Sequence, residues 1–149
     1  MTKEFQRVGS VSNAHVGRDF EFAAQEFFKT QNLFLELNLR IPIGVGSAKK
    51  DHAFDLGCPV QNVLVECKSH KWTSGNNVPS AKLTVWNEAM YYFTASPAGY
   101  RKIMFVLYDY SDRRGETLAE YYLRTHGHMV PSDVEIWEYN EETLTAKRF

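Results

Sequence analysis

Six apolar residues stand in succession from Ile103 to Tyr108, and that run constrains the fold more than any other stretch of the chain. It is far too short to cross a bilayer, and it has no alternating polar face to turn to water. Such a strand belongs to a sheet interior covered on both sides, which calls for helices on two faces and crossover connections. The rest of the pattern supplies them. Phe20, Ala23, Ala24, Phe27 and Phe28 recur at helical spacing and predict an amphipathic helix from about Arg18 to Gln31-Asn32. Leu35, Leu37, Leu39 and Ile41 alternate within Leu33 to Ile43 and predict a strand with all four on one face, closed by a Gly44-Val45-Gly46-Ser47 turn. Two more strands follow, one ending near Asp55 and one through Asn62 to Lys68.

Ser69 to Ser80, with Trp72, Gly75, Asn76, Asn77 and Pro79, reads as a loop free to move. Leu83, Trp86, Met90 and Phe93 predict a helix over 81–95, Glu116 to Thr125 another ended by Gly127, and Val134 to Tyr139 a last strand. The expected result is an α/β fold in one domain over 18–149, a mixed sheet flanked by helices, with an N-terminal arm over 1–17.

Charge and cysteine content narrow the functional classes. The 149 residues carry 17 Lys and Arg against 18 Asp and Glu, a formal net charge of -1, so no global positive field marks a nonspecific polyanion binder. Any nucleic-acid surface must be local. Cys58 and Cys67 are the two cysteines, and no short-spaced Cys/His cluster accompanies them, which argues against a structural zinc site or a disulfide framework. His126 and His128 flank Gly127 with no third ligand in sight. The polar start Met1-Thr2-Lys3-Glu4 has no secretory apolar segment, so a reducing cytoplasm is the expected compartment, with no membrane and no organic cofactor.

The chemistry concentrates in Asp55 and, eleven residues on, Glu66-Cys67-Lys68. On a strand Glu66 and Lys68 share a face while Val65 and Cys67 take the other, so a carboxylate sits beside an ammonium at the end of a buried strip. Such charges are costly without a partner or a purpose. Asp55 and Glu66 on adjacent strands supply hard oxygen ligands of the type Mg²⁺ or Mn²⁺ prefers, and the Cys67 backbone carbonyl can add another. A cation there polarises a phosphate and lowers the pKa of an attacking water, while Lys68 orients that water or neutralises transition-state charge. On the first helix Glu21 lies at the edge of the apolar stripe, about 100° from Phe20, and Glu26 lies almost opposite the stripe at about 240°, facing water. Glu21 is therefore the acid placed to complete the cluster. Two blander readings stand beside this one: an edge-strand ion pair with Asp55 starting a turn, or a domain without catalysis serving DNA binding or protein interaction.

Over about residues 18 to 110 the chain resembles the PD-(D/E)XK nuclease superfamily, the restriction-endonuclease-like fold. The residues that carry the likeness are Gly17-Arg18-Asp19-Phe20-Glu21 opening a helix, Asp55 on a strand and Glu66-Cys67-Lys68 on the next. The stretches Gly17 to Glu21 and Gly44 to Lys68 are most similar to the archaeal Holliday-junction resolvase branch. The resemblance implies a metal-dependent endodeoxyribonuclease with Glu21, Asp55 and Glu66 as metal-site acids and Lys68 as the active-site lysine. It also points to Glu88 as a polar helix residue near the site, with Phe54 where the motif has proline. Asp55 is preferred over Asp51 as the motif acid because Phe54 and Leu56 flank it in strand-like fashion, whereas Asp51 follows Lys49-Lys50 in an expected loop. DNA is the implied partner, and a homodimer would give it two sites. Lys49, Lys50, His70 and Lys71 are the candidates for backbone contact, with Trp72 as a stacking platform for an exposed base.

Overall fold

The computed structural model of the protein describes residues 17–149; the rest of the expected arm, residues 1–16, lies outside them. Residues 17–30 are helical and form α1. After it come β1 (Glu36–Ile43), β2 (Lys50–Cys58), β3 (Val63–Lys68), α2 (Ser80–Ala95), β4 (Arg101–Leu107), β5 (Tyr110–Ser111), β6 (Glu116–Thr117), α3 (Leu118–His126), β7 (Val134–Asn140) and β8 (Thr145–Arg148). Six strands join in one sheet in the order β1-β2-β3-β4-β7-β8. β3, β4 and β7 are parallel neighbours, while β1-β2, β2-β3 and β7-β8 are antiparallel. The mixed α/β class expected from the sequence is the one observed. Among the described residues no helix is long and apolar enough to cross a membrane.

β4 holds the centre because it can be covered twice. Ile103 and Phe105 pack with Phe20, Ala24 and Phe28 of α1, and Met104 and Val106 pack with Leu83, Trp86 and Phe93 of α2 and with Leu118 and Tyr122 of α3. All four β4 residues are fully buried. At about 25 cal/mol per Å² of apolar surface, this double burial is the chief driving force for layering helices on both faces.

The β1 expectation needs correction. Leu35 and Leu37 belong to the α1-side core, but Leu39 and Ile41 belong to the α2-side core. The cause is Asn38, whose φ of 55° lies in the left-handed region; one such residue breaks the pleat and hands the following side chains to the opposite face. The partner strand switches with it. Leu37 pairs with Leu56 and Leu39 with Phe54, and Leu56 packs on the α1 side while Phe54 packs on the α2 side.

Three smaller differences have local causes. β2 does not end near Asp55 but runs on to Cys58. Glu116 and Thr117 are not helical: they pair with Tyr110–Ser111, and Thr117 starts α3 with a capping box to Glu120. The polar strand β8, lacking any apolar alternation, forms by pairing with β7 and was not anticipated.

Candidate active site

β2 and β3 share backbone pairing only over Leu56–Cys58 against Val63–Val65. Beyond that point the side chain of Asp55 does the work of a strand: its Oδ2 accepts the Cys67 N–H at 2.8 Å. The two strands part there, and the chemistry-bearing residues collect at the parting. Glu66 and Lys68 lie on the face of Leu64, as the alternation requires, with Lys68 Nζ 3.9 Å from Glu66 Oε2. Glu66 is only 4% exposed, and its Oε1 meets Nε2 of His52 at 2.7 Å.

The carboxylates crowd one another. Burial, then the charge and hydrogen-bonding contact of Asp55, push the Glu21 carboxyl up to about 7. Glu66 is also pushed up to about 7, by burial first; His52 and Lys68 pull against that rise, and Asp55 adds to it. Glu21, Asp55 and Glu66 therefore feel each other, as the helix-edge angle of Glu21 and the strand positions of the other two foretell. Burial also raises the Cys67 thiol, a side chain flanked by the same acids.

These groups lie beside a cleft of about 780 Å³. Glu21, Asp55 and Cys67 line it together with Lys68, His70, Lys71 and Lys82. Lysines and acids lining one cleft suit a ligand that is itself anionic but approaches through a cation. Among the described residues, no three or more His, Cys, Asp or Glu side chains stand as a ready-made metal cage.

Of the expected nucleic-acid contacts, His70, Lys71 and Trp72 line the cleft, whereas Lys49 and Lys50 do not. Trp72 is 9% exposed; its indole N–H donates to Asp109 O at 3.1 Å, and its backbone N–H donates to Asp109 Oδ2 at 2.8 Å. Arg114 covers its ring with the guanidinium carbon 4.9 Å from the centroid, and Tyr121 meets it edge-on. The ring is spent on packing and is not a free stacking platform. The loop is tied to the following hairpin at Asn76 as well, where Ser111 Oγ donates to Asn76 Oδ1 and Arg114 donates to Asn76 O. His70 is not a cation: burial, then Lys68 and Lys82, lower it to about 4. Lys49 donates to Gly44 O in the β1–β2 turn, and neither it nor Lys50 lines the cleft. Lys71 alone of the expected basic contacts reaches the cleft as an exposed charge. Glu88 is exposed on α2 beside Tyr92 and does not line the cleft; Asp51 is exposed on β2.

Sequence reasoning passed over His52, Lys82 and Trp86. His52 stands three positions before Asp55 on a strand whose alternation breaks, so a strict period-2 reading does not assign it to the Glu66 face. Its ring stacks on Tyr92 at 3.9 Å and meets Phe54 edge-on at 4.6 Å, which fixes its reach to Glu66. A His52→Ala protein loses the hydrogen bond that favours ionised Glu66, so the Glu66 carboxyl titrates at a still higher pH; carboxyl-carbon NMR across a pH series measures it, and an unmoved titration would refute the coupling. Comparison of the chain with protein-family models, with curated proteins and with solved structures finds no match.

Proposed function

We propose that the protein is a divalent-metal-dependent endodeoxyribonuclease of the PD-(D/E)XK, restriction-endonuclease-like kind. The observation that carries the reading is the convergence of Glu21, Asp55 and Glu66 with Lys68 where β2 and β3 part, beside a cleft that also holds Lys71 and Lys82. Three oxygen-bearing acids in mutual repulsion fit a hard cation by donor type and by charge. Glu21, Asp55, Glu66 and the Cys67 carbonyl are the residues that would hold Mg²⁺ or Mn²⁺, with Glu66 released from His52 for the purpose. When bound, the ion supplies Lewis-acid polarisation of a phosphate and a water of lowered pKa.

The chain's own groups do the rest. Lys68 offers its ammonium to the water or to charge developing on the phosphate. Asp55 holds the backbone of Cys67 in place, and so fixes where the end of β3 lies against the cleft. Lys71 and Lys82 meet the flanking phosphates, which positions the strand without reading its sequence. A homodimer would present two such clefts to a symmetric duplex or a four-way junction.

A panel of linear duplex, single-stranded, flap and four-way-junction DNA, incubated with Mg²⁺ or Mn²⁺, tests the proposal. Cleavage that stops on chelation, and that a folded Asp55→Ala protein lacks, supports it. Binding without cleavage on every substrate replaces it with an inactive DNA-binding domain, and neither binding nor cleavage leaves a protein-interaction domain.

A further inference from the structure

A second group at the cleft is tuned for an anion, and its tuning comes from the core. Trp86 is fully buried on α2, and a buried indole N–H must find an acceptor. It finds Nδ1 of His70, at 2.8 Å. An imidazole nitrogen that accepts carries no proton, so neutral His70 must carry its proton on Nε2. His70 lines the cleft beside Lys68, Lys71 and Lys82. Among the described residues its Nε2 has no hydrogen-bond partner, and the only buried side-chain nitrogen or oxygen left unpaired is Glu138 Oε2. Nε2–H is therefore an open donor on the cleft side, held in one tautomer by a tryptophan that never meets solvent.

We infer that His70 is a substrate-contacting residue: as a neutral donor of fixed tautomer, it hydrogen-bonds through Nε2–H to a non-bridging oxygen of the phosphate that Lys68 addresses. The inference rests on the nuclease reading and adds to it a contact that the acidic cluster and its lysine do not provide. Burial, then the charges of Lys68 and Lys82, keep the ring uncharged at neutral pH, so it adds direction to the binding of the anion without adding another charge. The occupied Nδ1 also bars it from acting as a base through that nitrogen. This is a preorganised donor of the oxyanion-hole type, set before substrate arrives.

Two substitutions separate this role from a merely structural one. Asparagine places its amide oxygen where Nδ1 stands, so His70→Asn keeps the acceptor for Trp86 and loses the donor at the Nε2 position. Glutamine reaches that outer position with an amide N–H and gives up the inner acceptor, so His70→Gln does the reverse. Single-turnover cleavage by the whole chain is measured over a Mg²⁺ titration, with the Trp86 indole N–H resonance reporting its hydrogen bond. The expected result is a loss of about 10- to 100-fold in rate for His70→Asn, the size of one hydrogen bond to a charged group, with an unmoved Trp86 resonance and an unmoved Mg²⁺ midpoint. His70→Gln should shift the Trp86 resonance and keep most of the rate. Wild-type cleavage with an equally fast His70→Asn protein overturns the His70 role alone. A wild type that cleaves nothing overturns the nuclease reading, and the role falls with it.

Discussion

On the nuclease reading, a folded Lys68→Ala protein is expected to cleave about a thousandfold more slowly than the wild type, the upper range for removing one charge-stabilising group from an active site. The magnitude follows from where the ammonium is spent. Lys68 Nζ lies 3.9 Å from Glu66 Oε2, at the limit of an ion pair, and its side chain is 12% exposed. Its charge is partly desolvated but not consumed by a short bond to a carboxylate, so it remains available to an oxygen that becomes more negative during reaction. Because Lys68 is not an oxygen donor, the Mg²⁺ concentration giving half-maximal rate should hold while the maximal rate falls. Lys68→Arg restores charge without the compact ammonium geometry and should recover only part of the rate. Equal single-turnover rates for wild type and Lys68→Ala would remove Lys68 from the chemistry.

The second large effect is on stability, and it runs opposite to activity. The buried Glu66 carboxyl titrates at about 7 in the folded chain, above its ordinary value. Between the ordinary value and about 7 the folded state binds more protons than the unfolded state, so this group's contribution is complete at low pH and is lost as pH rises through about 7. The loss approaches about 3 kcal/mol above that point. Glu66→Gln cannot ionise, keeps an oxygen acceptor for His52, and should be more stable than the wild type at about pH 8 by up to about 3 kcal/mol while matching it more closely at about pH 5. Urea unfolding at the two pH values reads the difference. A wild type that gains stability on going from acid to alkaline conditions, with Glu66→Gln following it, would contradict the assignment. Mg²⁺ bound at the acids should offset part of the penalty, about 1.4 kcal/mol at a tenfold excess over its Kd, in the wild type more than in Glu66→Gln.

Much of this was readable in the residues. The apolar run of β4, the α1 stripe and the spacing of Leu83, Trp86, Met90 and Phe93 set the layers, because burial on a given face follows directly from period. The shared face of Glu66 and Lys68 followed from the same rule, and the stripe-edge angle of Glu21 put it within reach of the sheet boundary, where the structure sets it against Asp55. What failed had physical causes that a period does not encode. Asn38 adopts a left-handed conformation within a strand, so the alternating leucines divide between two cores. Trp72 and His70 lie in a Gly/Asn-rich stretch whose composition says loop, yet their bonds run to Asp109 and Trp86, 37 and 16 residues away. His52 reaches Glu66 across 14 residues of hairpin. Long-range polar pairing of that kind is set by tertiary packing.

The parting of β2 from β3 has a mechanical meaning. Glu21 rides on the helix of one core, whereas Glu66 and Lys68 look toward the other, and Asp55 bridges them beyond the last backbone pair of the two strands. The candidate site is thus mounted across the seam of the sheet, with its acids drawn from both layers. A displacement of one helical layer against the other, as by a core substitution, would therefore bear directly on the spacing of the acids.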